Sequence, residues 1–212
     1  MTRIAVIGGT GYAGRHIVSE AVDRGHTVVS VARNIAAERV AGATYVEGTL
    51  LDVPSLIAEL EGVEVVVVSV PARGELVGVL NTVVAELEAH LPADVRFGVV
   101  GGAGGSLVAV GGARLVDTDF PEDFKPEALE AIEVLEHLQE LESARDWFFV
   151  HPAAGFGSFN PGERTGRYRD GGDVLVVDET GNSFISGEDL AVAVVDEIES
   201  PKHSRERFTV GY

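Results

Sequence analysis

The sequence of 212 residues has no cysteine, and only 16 lysine and arginine residues against 34 aspartate and glutamate residues. Without cysteine the chain has no disulfides, thiolate metal sites or thiol nucleophiles, which agrees with a reducing compartment. Its formal net charge of −18 repels the phosphate backbone of nucleic acids and the anionic surface of membranes. We therefore expect neither a nucleic-acid partner nor a membrane partner.

Long apolar runs are also lacking. No run of 18 apolar residues occurs, and the apolar stretch at residues 4 to 7 is too short for a secretory signal. These features predict a cytoplasmic protein. At this length, with 45% hydrophobic residues, we expect one domain over residues 1 to 212, as a monomer or a homodimer.

Short β-branched runs alternate with helical patterns along the first 150 residues. Strands are predicted at residues 4–7, 27–31, 43–46, 63–70, 95–100 and 147–150, and helices at 12–22, 53–60, 75–90 and 126–142. In the last of these helices Leu129 is expected on the inner stripe. The alternation predicts an α/β fold, a doubly wound Rossmann domain with a mostly parallel sheet and helices on both faces.

The last third of the chain is less regular. Residues 155–172 are predicted as a long loop, and residues 174–177 and 183–185 as two strands that pair around a turn. A capping box that begins at Ser186 predicts a helix over 190–198, and residues 208–210 predict a closing strand. We expect this small irregular C-terminal region on the substrate side of the domain.

A glycine-rich turn, GGTGYAG at residues 8–14, follows the first predicted strand directly. Residues without Cβ allow a tight turn, and the N–H groups at the start of the next helix stabilise a pyrophosphate. Because the motif opens a βαβ unit of about 30 residues, it predicts a dinucleotide site.

The end of the second strand indicates which dinucleotide binds. An NAD site has an acidic residue there, whereas this chain has Arg33, whose guanidinium can pair with a 2′-phosphate. The sequence therefore favours NADP over NAD.

These residues, together with VGGAGGSL at 100–107, DFKPEA at 123–128 and PGERTGRYR at 161–169, carry a family resemblance. The chain resembles the atypical short-chain dehydrogenase/reductases, and within them the bacterial NADH-flavin reductases. This group is related to the biliverdin-IXβ/flavin reductases and to the NmrA-like proteins. The resemblance covers nearly the whole chain and implies a Rossmann domain with bound NADP(H) or NAD(H).

The resemblance also implies the residues that contact the cofactor. Five of them match the pyrophosphate turn: Gly8, Thr10, Gly11, Tyr12 and Gly14. Arg33 matches the 2′-phosphate position. Where relatives have Gly-Asp after the third strand, this chain has Thr49 and Leu50 after Gly48, so an adenine contact would rely on Thr49 and backbone. Positions along the ribose and nicotinamide are matched by Val70, Pro71, Gly102 and Pro152.

The Tyr-x-x-x-Lys pair of better-known short-chain dehydrogenases is missing, since its two places fall on Phe124 and Ala128. Reduction of a flavin, quinone or similar conjugated acceptor is less demanding, because the acceptor ring takes the hydride directly and water supplies the proton. We therefore expect an NAD(P)H-dependent reductase with a small-molecule acceptor. The alternative is a non-catalytic NADP(H)-binding sensor of the NmrA-like type, while an epimerase or dehydratase is disfavoured.

Three residues are candidates to line the acceptor site. Ser106 could orient a carbonyl, His151 could donate a proton near neutral pH, and Phe156, with Phe159, could cover the acceptor ring. Each also has a structural interpretation, as a turn serine, a hydrogen-bonded strand-end histidine or a core aromatic. The sequence predicts no catalytic residue. It predicts no metal site either, because the six histidines are scattered without ligand spacing.

Overall fold

A computed structural model describes residues 1–35 and 38–212. These residues form five α-helices and one eight-stranded sheet. The strands are β1 (Arg3–Ile7), β2 (Thr27–Ala32), β3 (Thr44–Glu47), β4 (Val65–Val68), β5 (Arg96–Val100), β6 (Trp147–Pro152), β7 (Arg169–Asp170) and β8 (Glu206–Gly211). The helices are α1 (Tyr12–Asp23), α2 (Val53–Glu59), α3 (Leu80–His90), α4 (Lys125–Glu140) and α5 (Gly187–Glu199).

The sheet has the order β3-β2-β1-β4-β5-β6-β8-β7, in which every pairing is parallel except that of β7 with β8. The chain order reverses between β1 and β4, and ligands of such sheets bind outside the carboxyl ends of the strands at this point. The predicted doubly wound Rossmann fold is confirmed.

Two hydrophobic layers cover the sheet. On one face Ile17 of α1 and Leu190 of α5 pack against β1, β4 and β6. On the other face Leu56, Leu87 and Leu135, from α2, α3 and α4, pack against the same sheet. The central strands are buried on both sides, which explains why β4 consists of four consecutive valines.

Three local predictions were wrong. The helix expected from residue 75 begins at Leu80, because Gly74 and Gly78 have φ angles of +61° and +75°, which a helix does not accommodate. The segments 174–177 and 183–185 form no ladder, and Val174 instead bridges Leu107. Leu129 points to solvent and is 44% exposed.

The capping box is confirmed, since the Ser186 hydroxyl accepts a hydrogen bond from the N–H of Asp189 at 3.0 Å. Within the loop predicted over 155–172, only the two residues of β7 join the sheet. The Asp189 carboxylate is buried and accepts hydrogen bonds from Thr165, Gly166 and Tyr212. The loop is thereby fixed to the start of α5.

Candidate functional site

The glycine turn joins β1 to α1 at the carboxyl edge of the sheet. Gly8 has a φ of +87°, and a Cβ there would lie 2.5 Å from the carbonyl oxygen of Ser69. The N–H groups of Gly8 and Gly9 both donate to the carbonyl of Val31, at 2.8 and 3.1 Å. The turn is therefore held against the ends of both strands that flank β1.

Gly14 lets α1 approach this turn closely. A Cβ on Gly14 would lie 2.2 Å from the carbonyl oxygen of Gly8 and 2.9 Å from the Cα of Gly9. Gly11 is the N-cap of α1 and has no side chain to accept from the first-turn N–H groups. These N–H groups, with the positive end of the helix dipole, suit an anionic pyrophosphate. The turn thus fits a dinucleotide.

The side chain of Tyr12 contacts the loop after β6. Its hydroxyl donates to the carbonyl of Pro161 at 3.2 Å, and its ring lies 5.3 Å from the rings of both His16 and Phe156. The side chain therefore anchors the loop after β6 to the start of α1. Phe156 is part of this packing, which matches its interpretation as a core aromatic, while Phe159 is 76% exposed.

Arg33 lies just beyond the end of β2, with 60% of its side chain exposed. Its Nη1 is 3.8 Å from Oε2 of Glu75, which lies in a short 3-10 turn after β4. Sequence reasoning missed Glu75, because residue 75 was placed in a regular helix. The two glycines that flank the turn, Gly74 and Gly78, were the available signal.

The other residues predicted to contact the cofactor differ in their burial and in the groups that a ligand could reach. Thr49 is half-buried, and its hydroxyl accepts from the N–H of Leu51 at 3.2 Å. The side chain of Leu50 is only 3% exposed and packs into the core, so Leu50 can contact a ligand only through its backbone. Val70 packs on Gly8, Pro71 is exposed, and Pro152 is buried in β6.

His151 is buried at the end of β6. Its Nδ1 donates to the carbonyl of Gly102 at 2.7 Å, and its Nε2 has no hydrogen-bond partner among the described residues. Burial, together with the positive charges of Arg207 and Arg114, lowers the pKa of His151 to about 4, against the opposing effects of the Gly102 hydrogen bond and Asp173. The ring is therefore neutral near pH 7, which corrects the expectation that it donates a proton there.

A pH dependence of stability follows from this histidine. Below its ordinary pKa of 6.5 the unfolded state binds a proton that the folded state excludes, so stability falls as pH falls towards 4. Between pH 6.5 and 5 we expect a loss of about 1.5 kcal/mol. Denaturant titrations of the wild type and of His151→Asn would measure it, and the variant should lose most of the slope. Equal slopes would contradict the assignment.

Ser106 is fully buried beside the same turn, and its hydroxyl has no hydrogen-bond partner among the described residues. Its backbone N–H donates to the carbonyl of Ala103 at 2.9 Å, and its carbonyl accepts from Leu115 at 2.8 Å. Ser106 and His151 thus bring two unpartnered polar atoms beneath the turn at 103–105. Neither side chain lies on the open surface.

Several polar side chains of the loop after β6 pair within the protein. Arg164 binds the carboxylate of Glu20 at 2.5 Å, and the Tyr168 hydroxyl donates to Asp196 at 3.0 Å. Arg169 donates to the carbonyl of Val177 at 2.6 Å. Arg164 and Tyr168 thus bind acidic side chains, whereas Arg169 binds a backbone carbonyl. In the described part of the chain no group of three potential metal ligands occurs, and no helix there is long and apolar enough to span a membrane.

Gly102 offers a direct probe of where the nicotinamide lies. A Cβ at Gly102 would meet nothing within 4 Å, and its φ of −121° is ordinary for alanine. We expect Gly102→Ala to keep wild-type stability within about 0.5 kcal/mol but to weaken NADPH binding about 10-fold, since the methyl group occupies space predicted for the ring. Thermal melting and fluorescence titration would measure the two effects.

The neighbouring glycine provides the control. A Cβ at Gly101 would lie 2.1 Å from Cζ of Phe149, so Gly101→Ala should destabilise the fold. If Gly102→Ala bound NADPH as the wild type does, the nicotinamide would have to lie elsewhere.

Comparison with known proteins shows the family of this chain. A family model described as NAD(P)H-binding matches residues 8–201, from the glycine turn to the end of α5. The chain belongs to this NAD(P)H-binding family. A nicotinamide dinucleotide is therefore its cofactor, and the resemblance to the atypical short-chain dehydrogenase/reductases is confirmed.

Three relatives match over nearly their full length. The uncharacterized protein YwnB of Bacillus subtilis strain 168 is 36% identical over 98% of this chain and 97% of its own. A solved structure from Burkholderia pseudomallei, named as a candidate exported protein, is 39% identical with a TM-score of 0.85 and covers 100% of both chains. One from Streptococcus pneumoniae TIGR4, named as a candidate NADH-flavin reductase, is 32% identical with a TM-score of 0.84, covering 100% of this chain and 99% of that chain.

Proposed function

We propose that this NAD(P)H-binding protein is an NADP(H)-dependent oxidoreductase that reduces a flavin, a quinone or a similar conjugated small molecule. When bound, the reduced nicotinamide supplies a hydride, and water supplies the accompanying proton. The protein binds the cofactor and positions the acceptor beside it. The likeness to a candidate NADH-flavin reductase over the whole chain supports this reaction class.

The proposal rests on the residue types found at the start of α4. The Tyr and Lys positions of better-known relatives hold Phe124, which is 55% exposed, and Ala128, which is buried. Lys125 is paired with Glu122 at 3.5 Å. A phenyl ring can pack on a flat acceptor but cannot transfer a proton, which favours acceptors that need no protein acid.

Arg33 supports the preference for NADP. A guanidinium binds a phosphate dianion through charge-assisted hydrogen bonds, each contributing about 1.5 to 3 kcal/mol. Arg33 is exposed at the carboxyl end of β2, and its contact with Glu75 is long enough for a phosphate to displace.

The test of this preference is Arg33→Ala. We expect the Kd for NADPH to rise about 10- to 100-fold, and the Kd for NADH to change by less than about threefold. Lys202→Ala removes one positive charge from an exposed site after α5 and should change neither constant. Equal losses for both cofactors in Arg33→Ala would overturn the assignment of Arg33 to the 2′-phosphate.

A second candidate function is a non-catalytic NADP(H) sensor. It is favoured by the burial of Ser106 and His151, which are 0% and 1% exposed, so the residues expected to line an acceptor site are closed off. A sensor needs only the cofactor site and a surface that changes when the cofactor binds. The two candidates differ in turnover, which is directly measurable.

A further inference from the structure

Arg33 and Glu75 lie in the segments that follow the two strands on either side of β1. Arg33 follows β2 and Glu75 follows β4, and both strands pair with β1 in parallel register. Their charged groups approach to 3.8 Å at the carboxyl edge of the sheet, where the glycine turn emerges from β1. The ion pair therefore bridges the crevice that receives the dinucleotide.

Hydrogen bonds connect the segment that contains Glu75 to α4, both before and after Glu75. Before it, Arg73 makes a two-pronged contact with the carboxylate of Glu127, at 2.6 and 3.1 Å. After it, the N–H of Gly78 donates to both carboxylate oxygens of Glu130, at 2.9 Å each. Because Arg73 and Gly78 are both held by α4, Glu75 stays close to Arg33 although 72% of its side chain is exposed.

We propose that Glu75 sets the selectivity between the cofactor with a 2′-phosphate and the cofactor without one. This inference rests on the proposed binding of the 2′-phosphate by Arg33. The Glu75 carboxylate competes with the phosphate for the same guanidinium and repels its negative charge. A ribose 2′-hydroxyl can instead donate a hydrogen bond to that carboxylate. Glu75 therefore lowers the preference for NADP(H) and leaves NAD(H) usable.

The test separates the 2′-phosphate from the rest of the cofactor. Binding of adenosine 2′,5′-bisphosphate and of adenosine 5′-monophosphate would be measured by calorimetry for the wild type, Glu75→Gln, Arg33→Ala and the double variant. An exposed ion pair contributes up to about 1 kcal/mol, so we expect Glu75→Gln to bind the bisphosphate about two- to fivefold more tightly. The affinity of Glu75→Gln for the monophosphate should be unchanged or lower than that of the wild type.

The double variant tests competition for Arg33. In the Arg33→Ala background, most of the gain from Glu75→Gln should disappear. Glu59→Gln makes the same change in charge at an exposed position on α2 and should have no effect. No gain in Glu75→Gln, or a full gain without Arg33, would overturn the inference while the role of Arg33 stands.

A different result would overturn the proposed preference for NADP. If the wild type bound both nucleotides equally and Arg33→Ala changed neither, Arg33 would not hold the 2′-phosphate. That result would overturn the NADP preference together with the inference on Glu75.

Discussion

Replacement of Gly14 by alanine is expected to weaken NADPH binding more than 100-fold. The added Cβ would lie 2.2 Å from the carbonyl oxygen of Gly8, and backbone atoms cannot move aside as a flexible side chain can. The helix must then retreat from the turn, which withdraws its first-turn N–H groups from the pyrophosphate. Several charge-assisted hydrogen bonds are lost together, which accounts for the size of the effect.

Gly25→Ala is the matched control, because Gly25 lies just after the other end of α1. It has a φ of +83°, but a Cβ there would meet nothing within 4 Å. Alanine should lower stability by about 1 kcal/mol through backbone strain and leave NADPH binding unchanged. Thermal melting of both variants shows whether each is folded at the temperature of the titration. If folded Gly14→Ala bound NADPH within threefold of the wild type, the turn would not be the pyrophosphate site.

Arg145→Met is expected to lower the free energy of unfolding by about 4 kcal/mol. The guanidinium is buried, pairs with the Glu88 carboxylate and donates to four carbonyls, those of Glu88, Leu91, Pro92 and Val95. These contacts fix the end of α3 and the turn before β5. Removal of the cation leaves the Glu88 carboxylate and several carbonyls buried without a partner, and this desolvation accounts for the cost.

Urea denaturation of Arg145→Met would measure this loss. Arg114→Met breaks a more exposed ion pair, with Glu136 at 2.8 Å, and should cost less than about 1 kcal/mol. In the double variant Arg145→Met with Glu88→Leu, part of the stability should return because the unpaired carboxylate is gone. A cost below about 1 kcal/mol for Arg145→Met would mean that the end of α3 is held by packing alone.

The sequence was informative where the structure depends on neighbouring residues in the chain. Residues 8–14 combine a strand end and a helix start, and the structure places a turn there that leaves no room for a Cβ at Gly8, Gly9 and Gly14. The four valines of β4 similarly indicate a strand buried on both faces. Such local signals were sufficient to predict the fold and the position of the glycine turn.

The sequence was less informative where a distant segment decides the environment. His151 was correctly placed at the end of a strand, but its neutral state depends on burial beneath the turn at 103–105 and on the positive charges of Arg207 and Arg114. Glu75 meets Arg33 only because their strands lie on either side of β1. Neither relation is visible in periodicity or spacing, since both arise from the order of strands in the sheet.

We propose that the protein transfers a hydride from NADPH to a conjugated acceptor. The most direct measurement is NADPH oxidation by the purified protein against FMN, FAD, riboflavin and quinones, with NADH and Arg33→Ala alongside. We predict protein-dependent turnover with at least one acceptor and a preference for NADPH that is lost in the variant. Tight NADPH binding without turnover on any acceptor would contradict the reductase and favour the sensor.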